Sequence, residues 1–342
     1  MPAGKYRVSA KWAMTLACCP YIWAEMQRIH FQSGVTLMEV MAASAVGVLL
    51  VSITVPVTHR VWLAGTTEQD AAQQQAIHAA MVRDSNGNPG GRLLTPGLIN
   101  RLSYNGQQVP GEGEEDYAQN KTQNLYSACI ARGLFGPQIL VGATEVNPVV
   151  EAYTSYNYNA YRPDADSYWD PQFQARIDGV AGTSKSHTSF AHQLLCGLRK
   201  DVYWRGTADA NRPLISTRGC RNGIASGDSY VRSPTLRLHG APDSWEGNVC
   251  YGDNHVELAT SFTPPRSTCA CSTYNSGAVT PDNLFRCAGT SDATEFTGSG
   301  CVDMNSTNAP QPWAGMDAML GIHPFTATKW IAIPVYDRAL SP

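Results

Sequence analysis

One stretch, Ser33–Pro56, narrows what this chain can be more than any other: "SGVTLMEVMAASAVGVLLVSITVP". From Val35 to Thr58 the only charged side chain is Glu39. Twenty-four residues in a helix rise about 36 Å, more than the ~30 Å of a hydrocarbon core. Arg28 and His30 precede the run, His59 and Arg60 come after it, and Lys5, Arg7 and Lys11 lie further upstream. Basic residues before the run orient the N-terminus to the cytoplasm and export the remainder of the chain. A cleaved signal peptide fits less well: its apolar core is shorter, and its small residues lie after that core. Here Gly34 comes first. A plain anchor explains the length but not Glu39. A charged carboxylate at the centre of a bilayer costs roughly 2–3 kcal/mol on insertion scales, and less near an end. Such a residue therefore calls for a partner.

Further along, "VWLAGTTEQDAAQQQAIHAAMVR" (61–83) keeps helical character, with Ala71, Ala72, Gln75, Ala76, Ala79 and Ala80 at three- and four-residue spacing. That pattern predicts an Ala-rich face for close approach to a sheet or to a neighbouring helix. The turn formers of "DSNGNPGG" (84–91) should end it. The rest has no internal repeat. "QILVGATEV" (138–146), "SPTLRLHG" (233–240), "GNVCYGDNHVELATSF" (247–262) and "KWIAIPVYD" (329–337) are expected as strands. "QNLYSACIARGLF" (123–135) and "SFAHQLLCGLRK" (189–200) are expected as short helices.

Charged residues make up only 15 % of the 342, well below the usual quarter. The formal charge is −3, and no Lys/Arg run offers a footprint for nucleic acid. Ten cysteines are present. Cys18 and Cys19 precede the apolar run. Cys129, Cys196, Cys220, Cys250, Cys269, Cys271, Cys287 and Cys301 come after it, an even set that an oxidising compartment would pair as disulfides. Reduced, buried thiols are the competing state. Cys269, Cys271, Cys287 and Cys301 lie close in sequence and could ligate zinc, but Cys-x-Cys in a Gly/Ser/Thr-rich loop favours staples.

At the N-terminus, "Gly-Val-Thr-Leu-Met-Glu-Val-Met" resembles the prepilin signature of type IV pilins and type II secretion pseudopilins. The resemblance implies cleavage after Gly34, N-methylation of the new terminus Val35, an acidic fifth mature residue (Glu39) and a proline at mature position 22 (Pro56). Thr36 and Leu37 fit the pattern as well. Val35 in place of Phe, Met38 in place of Ile or Val, and the polar Ser44 are mild departures. Residues 1–34 then form the leader, with Met26 a candidate start giving the short basic leader typical of the family. Residues 35–83 form the transmembrane and assembly helix, and 84–342 the exported head. Glu39 would meet the terminal amine of a neighbouring subunit, acting chiefly as a register device, and Pro56 would kink or open the helix.

Segments of the head, "LYSACIARGLFGPQILVGATEVNPVV", "YNAYRPDADSYWDP" and "WEGNVCYGDNHVELATSF", are similar to a large-headed family of bacterial prepilin-like secretion proteins that ends in a His-x9-Asp-Gly element. Asp253 matches its Asp. Asn254 replaces the Gly, a substitution that left-handed turn geometry tolerates. The nearest upstream histidine, His239, is thirteen residues away instead of nine, so the shared role does not carry over to it by spacing. The implied fold is α+β and pilin-like: a long N-terminal helix, transmembrane in its first half, packed on an antiparallel sheet with large loop insertions.

His187, His192, His239, His255 and His323 form no His-Glu-x-x-His, and neither a Gly-x-Ser-x-Gly nor a Walker loop is present. Catalysis is not expected, and no cofactor either. The acidic runs Asp164/Asp166/Asp170 and Glu112/Glu114/Glu115/Asp116 carry oxygens suited to Ca²⁺, without EF-hand spacing, and solvated loops explain them as well. Removing residues 1–34 takes away Lys5, Arg7, Lys11, Arg28 and Glu25, leaving 21 basic and 27 acidic residues. That balance lacks the basic stripe of a DNA-uptake subunit.

The expected function is that of a structural subunit of a type II secretion pseudopilus or a type IV pilus-like filament. Its partners would be other pilin subunits, the prepilin peptidase, the inner-membrane assembly platform and membrane lipid. It would sit as a single-pass protein of the inner membrane with its head outside. A membrane-anchored adhesin presenting the Tyr/Trp-rich head is the alternative, and a tethered hydrolase a further one.

Overall fold

The computed structural model describes residues 36–99, 101–104, 107–110, 114–197, 199–239, 243–269, 280–286, 301–302, 317–329 and 331–340. By compactness the chain divides into Met1–Thr58 and His59–Pro342. That division falls inside the first helix, α1 (Leu37–Ser85). The second half of α1 therefore belongs with the head, whose core begins before residue 84.

Among the described residues, α1 is followed by the hairpin β1 (Arg101–Tyr104) and β2 (Gln107–Pro110) and by helix α2 (Thr122–Ala131). Strands β3 (Phe190–Gln193), β4 (Pro213–Thr217), β5 (Gly247–Tyr251) and β6 (Val256–Ala259) come next. The short β7 (Thr268–Cys269), β8 (Thr280–Pro281) and β9 (Cys301–Val302) precede β10 (Leu320–Thr328) and β11 (Ile331–Val335). Seven strands form one sheet in the order β6-β5-β4-β3-β10-β11-β9, every neighbouring pair antiparallel. The architecture is α+β with long irregular connections, as expected for the class.

The main core joins Ile77 and Met81 of α1 to Leu125, Tyr126 and Ile130 of α2, with Phe190, Trp204 and Ile215. A second cluster gathers around Val249 and Leu320, where Phe285 meets both Trp245 and Phe262 edge to face and those two rings are tilted to each other.

Several expectations are corrected. Residues 138–146 are not a strand: a 3-10 turn covers Pro137–Leu140, and the rest is loop. Its carbonyls find partners elsewhere, Ile139 and Val141 from Gln73 Nε2 and Leu140 from Ser189 N. Residues 233–239 likewise hold a 3-10 turn, Pro234–Arg237, and no strand. "SFAHQLLCGLRK" contains strand β3 and a π-turn at Arg199–Tyr203 rather than a helix. All four residues of β3 are buried, and a short run buried on both faces carries no period to tell strand from helix.

The expected disulfides are not found at the described cysteines. Cys129, Cys220 and Cys250 are buried free thiols, and Cys196 is buried as well. Cys129 and Cys250 lie in the main core, Cys220 in the second cluster and Cys196 in a third. They serve as small hydrophobes, and burial pushes the Cys220 and Cys250 thiols up to about 12. The side chains of Cys269, Cys271, Cys287 and Cys301 lie outside the described residues.

Candidate assembly helix and its polar dock

The first turn of α1 is a capping box. Thr36 Oγ1 accepts from Glu39 N at 3.2 Å, and Glu39 Oε2 accepts from Thr36 N at 2.9 Å and from Thr36 Oγ1 at 3.0 Å. Two backbone donors that the helix start leaves open are thereby satisfied. Glu39 thus has a partner within its own chain. Gly34 and Val35 lie outside the described residues, and so does the side chain of Pro56. The helical backbone continues through residue 56.

Between Leu37 and Thr58 every described side chain is exposed. Leu37, Met38 and Val48 are at least 70 % accessible, with no packing to account for their apolarity. The hydroxyls in this stretch are turned back on the helix: Ser44 to Val40 O at 2.7 Å, Ser52 to Leu49 O at 2.7 Å, Thr54 to Leu50 O at 2.8 Å and Thr58 to Thr54 O at 2.9 Å. Side chains that bond to their own backbone present mostly carbon outward. Among the described residues no helix is long and apolar enough to cross a membrane. The run Val35–Thr58 includes Val35 itself and the side chains of Ile53, Pro56 and Val57, which lie outside that description.

The second half of α1 buries a stripe of Asp70, Gln74, Ile77, His78, Met81 and Ser85, at spacings of three, four and seven or eight residues. This corrects the expectation of an alanine face. Ala72, Gln75 and Ala76 are exposed, and of that set only Ala80 is buried. Asp70, Gln74 and His78 occupy the inner face because the head supplies each with a partner, while Ser85 bonds back to Val82 O.

Asn248 Nδ2 donates to Thr67 O at 2.8 Å. His239 bridges Thr67 Oγ1 and Thr217 Oγ1, each at 3.1 Å. The Gln74 amide, oriented to suit its neighbours, donates to Asn248 O at 3.3 Å and accepts from Thr217 N at 3.2 Å. Asn254 takes φ 72° at the turn between β5 and β6, the left-handed geometry expected of it. There its Oδ1 lies 2.9 Å from His78 Nδ1, and its carbonyl accepts from Gln75 Nε2 at 3.3 Å. The "GNVCYGDNHVELATSF" hairpin therefore clasps α1 at Thr67, Gln74, Gln75 and His78. His239, whose spacing departs from that of the family element, belongs to this dock. Its signal was only its nearness to the Asn248–Glu257 element.

Asp70 is the least satisfied member of the dock. Its Oδ2 accepts from Thr144 Oγ1 at 3.2 Å, and its Oδ1 is buried with no hydrogen-bond partner. Gly142 packs so closely that a Cβ there would collide with this oxygen. Burial, reinforced by the nearby Glu145 and opposed by the Thr144 bond, raises Asp70 to about 7. Burial holds His239 down to about 4, so its imidazole is neutral near pH 7 and its 3.7 Å approach to Asp70 Oδ2 is not an ion pair.

A second buried cluster, invisible in the sequence, is centred on Arg218. Its Nη1 and Nη2 grip Glu145 at 2.6 and 2.8 Å, and its Nε donates to Asp337 at 2.7 Å. Ser189 and Arg218 saturate Glu145, while Asn147 and Thr235 complete Asp337. Burial pushes Glu145 up, but the guanidinium more than offsets that and leaves it below the usual carboxylate range. Every charge here is matched, so the cluster is a lock.

The other sequence candidates do not converge. His192 and His323 share Thr122 Oγ1 at 3.0 and 3.3 Å, and burial lowers both. His187 stacks on Tyr153 and accepts from Gln174 N at 3.0 Å. His255 stacks on Tyr251 and bonds Asp253. Asp170 turns inward to Tyr153 Oη and Asn157 N, while Asp164 and Asp166 face solvent. Glu115 is held by Lys200 and Asn120, Asp116 caps Ala118 N, and Glu112 lies outside the described residues. Among the described residues no three His, Cys, Asp or Glu side chains are grouped to hold a metal.

No family model, curated protein or solved structure matches this chain.

Proposed function

We propose that this chain is a prepilin-like structural subunit: cut after Gly34, anchored and assembled through the helix that begins at Leu37, with the head displayed outside the inner membrane. The observation that carries the reading is the exposed apolar half of α1 with its single acid. Leucine, valine and methionine side chains stand open to solvent from Leu37 to Val55, an arrangement that needs lipid or neighbouring subunits to cover it. The one carboxylate sits at the third helical position, four residues from Val35.

In the uncut chain, Glu39 completes its own helix cap. Cleavage after Gly34 would create an ammonium at Val35. Glu39 can then exchange its Thr36 partners for an ammonium in the filament, neutralising two charges where water is scarce. Breaking such a pair is costly, which makes it a register device. The dock between the second half of α1 and the hairpin β5–β6 supports the reading too, because a subunit pulled by its helix must carry its head along.

The test is the mature N-terminus and filament incorporation measured together. The expected results are N-methyl-Val at residue 35 and loss of incorporation for Glu39→Val, with the head still folded by circular dichroism. Protein left uncut at Gly34, or Glu39→Val assembling normally, would overturn the proposal.

A further inference from the structure

Just beyond the end of α1, a cavity of about 350 Å³ is lined by Arg92, Leu93, Leu94, Leu98, Ile99 and Arg132 with a few neighbours. That volume lies at the small end of ligand pockets. Among the described residues its lining contains two guanidinium groups and no carboxylate. The two cations differ. Arg132 pairs with Asp84 at 3.1 Å. Arg92 has no ion-pair partner among the described residues, and its Nε is buried without a hydrogen bond. A buried guanidinium nitrogen left unmatched is costly, and an anion in the cavity would match it.

The walls are fixed before any ligand arrives. Leu93 N donates to Trp204 O at 3.1 Å, and Trp204 Nε1 donates to Leu94 O at 2.9 Å. Asn88 Nδ2 holds Arg92 O at 3.0 Å. Leu93 and Leu94 are in the main core, so the backbone carrying Arg92 is pinned from both sides. Thr95 is turned to Leu93 O. What remains is an apolar cup with one uncompensated planar cation.

We propose that this cavity binds a small organic carboxylate: an apolar body against Leu98 and Ile99, with its carboxylate on the Arg92 guanidinium. Arginine matches a carboxylate with two parallel N–H donors, the geometry that separates it from a point charge. Apolar lining with one placed polar group is the usual composition of such sites.

The experiment is calorimetric titration of the full chain in lipid nanodiscs with benzoate, and with benzamide as its neutral counterpart of the same shape. Saturable binding of benzoate is expected, with benzamide weaker by about tenfold or more. Arg92→Gln should erase that preference. Leu98→Glu adds a negative charge at a partly exposed wall position and should weaken benzoate selectively. Circular dichroism of both variants shows whether each remains folded. Two results overturn the assignment: no saturable benzoate binding up to millimolar concentration, or equal binding of benzoate and benzamide.

Discussion

The two halves of α1 share one secondary structure and opposite reasons for having it. From Leu37 to Thr58 the described side chains touch solvent, and the helix stands on its cap, its propensity and its own backbone bonds. From Asp70 to Ser85 a stripe is buried against the head, and most of that stripe is polar. The apolar half is thus the exposed one, and the polar half is the one that packs. Hydrophobicity alone would have reversed the assignment. A polar residue goes inside when a partner waits there, and an apolar residue stays outside when its proper surroundings are not in the chain.

The contrast is tested most severely at Met81, which is fully buried in the main core. Met81→Ala should cost ~2–5 kcal/mol in urea unfolding, the usual range for a buried methionine truncated in place. Leu49→Ala is the control: Leu49 is 60 % exposed, and the same measurement should move by no more than about 0.5 kcal/mol. Equal losses at both positions would mean that the first half also packs on the protein.

Asp70 gives the next largest effect, and its sign is reversed. The carboxyl ionises near 3.8 in the unfolded chain and near 7 in the folded one. Folding therefore favours the protonated form. Its contribution is least unfavourable below pH 3.8, worsens as pH rises towards 7, and stays level above. Asp70→Asn removes the ionisation, so the variant should be more stable than the natural protein at pH 8, on the order of 4 kcal/mol. The gap should close towards pH 4. Unfolding at a series of pH values checks this, and a gap independent of pH would mean that Asp70 is not the titrating group.

The range of each interaction decides how much of this was legible beforehand. The helix and its end were readable because the apolar run and the "DSNGNPGG" cluster act locally. The strand character of "GNVCYGDNHVELATSF" was readable as well, from its own side chains. The inner face of α1 was misjudged because Gln74 and His78 are polar, and their partners Asn248 and Asn254 lie more than 170 residues away. The Arg218 lock was missed for the same reason: Glu145 is 73 residues upstream and Asp337 is 119 downstream, and no spacing rule connects them. "QILVGATEV" misled because strand-forming side chains say nothing about Gln73 taking the carbonyls. The thiols misled because cysteine pairs and core cysteines look alike in sequence.

Asn254 sharpens the docking side of the comparison. It holds left-handed backbone and two contacts to α1. Asn254→Ala should cost about 2 kcal/mol: about 1 for the backbone strain of a Cβ in that region and about 1 for the His78 bond. Asn254→Gly relieves the strain and loses only the side-chain bond, so it should cost about half as much. If the two variants unfold alike, the turn does not clasp the helix through that side chain.

The smallest effect belongs to the first turn. Thr36 and Glu39 satisfy each other at the surface, so Thr36→Ala should remove ~0.5–1 kcal/mol. The loss should be local. Urea unfolding of the head should not register it, because no described side chain between residues 36 and 58 is buried. Amide hydrogen exchange should register it as faster exchange at Leu37, Met38, Glu39 and Val40, with Ile77 and Met81 unchanged. Exchange that accelerates along both halves of α1 would show the helix to be one cooperative element, and would remove the division between an exposed half and a docked half.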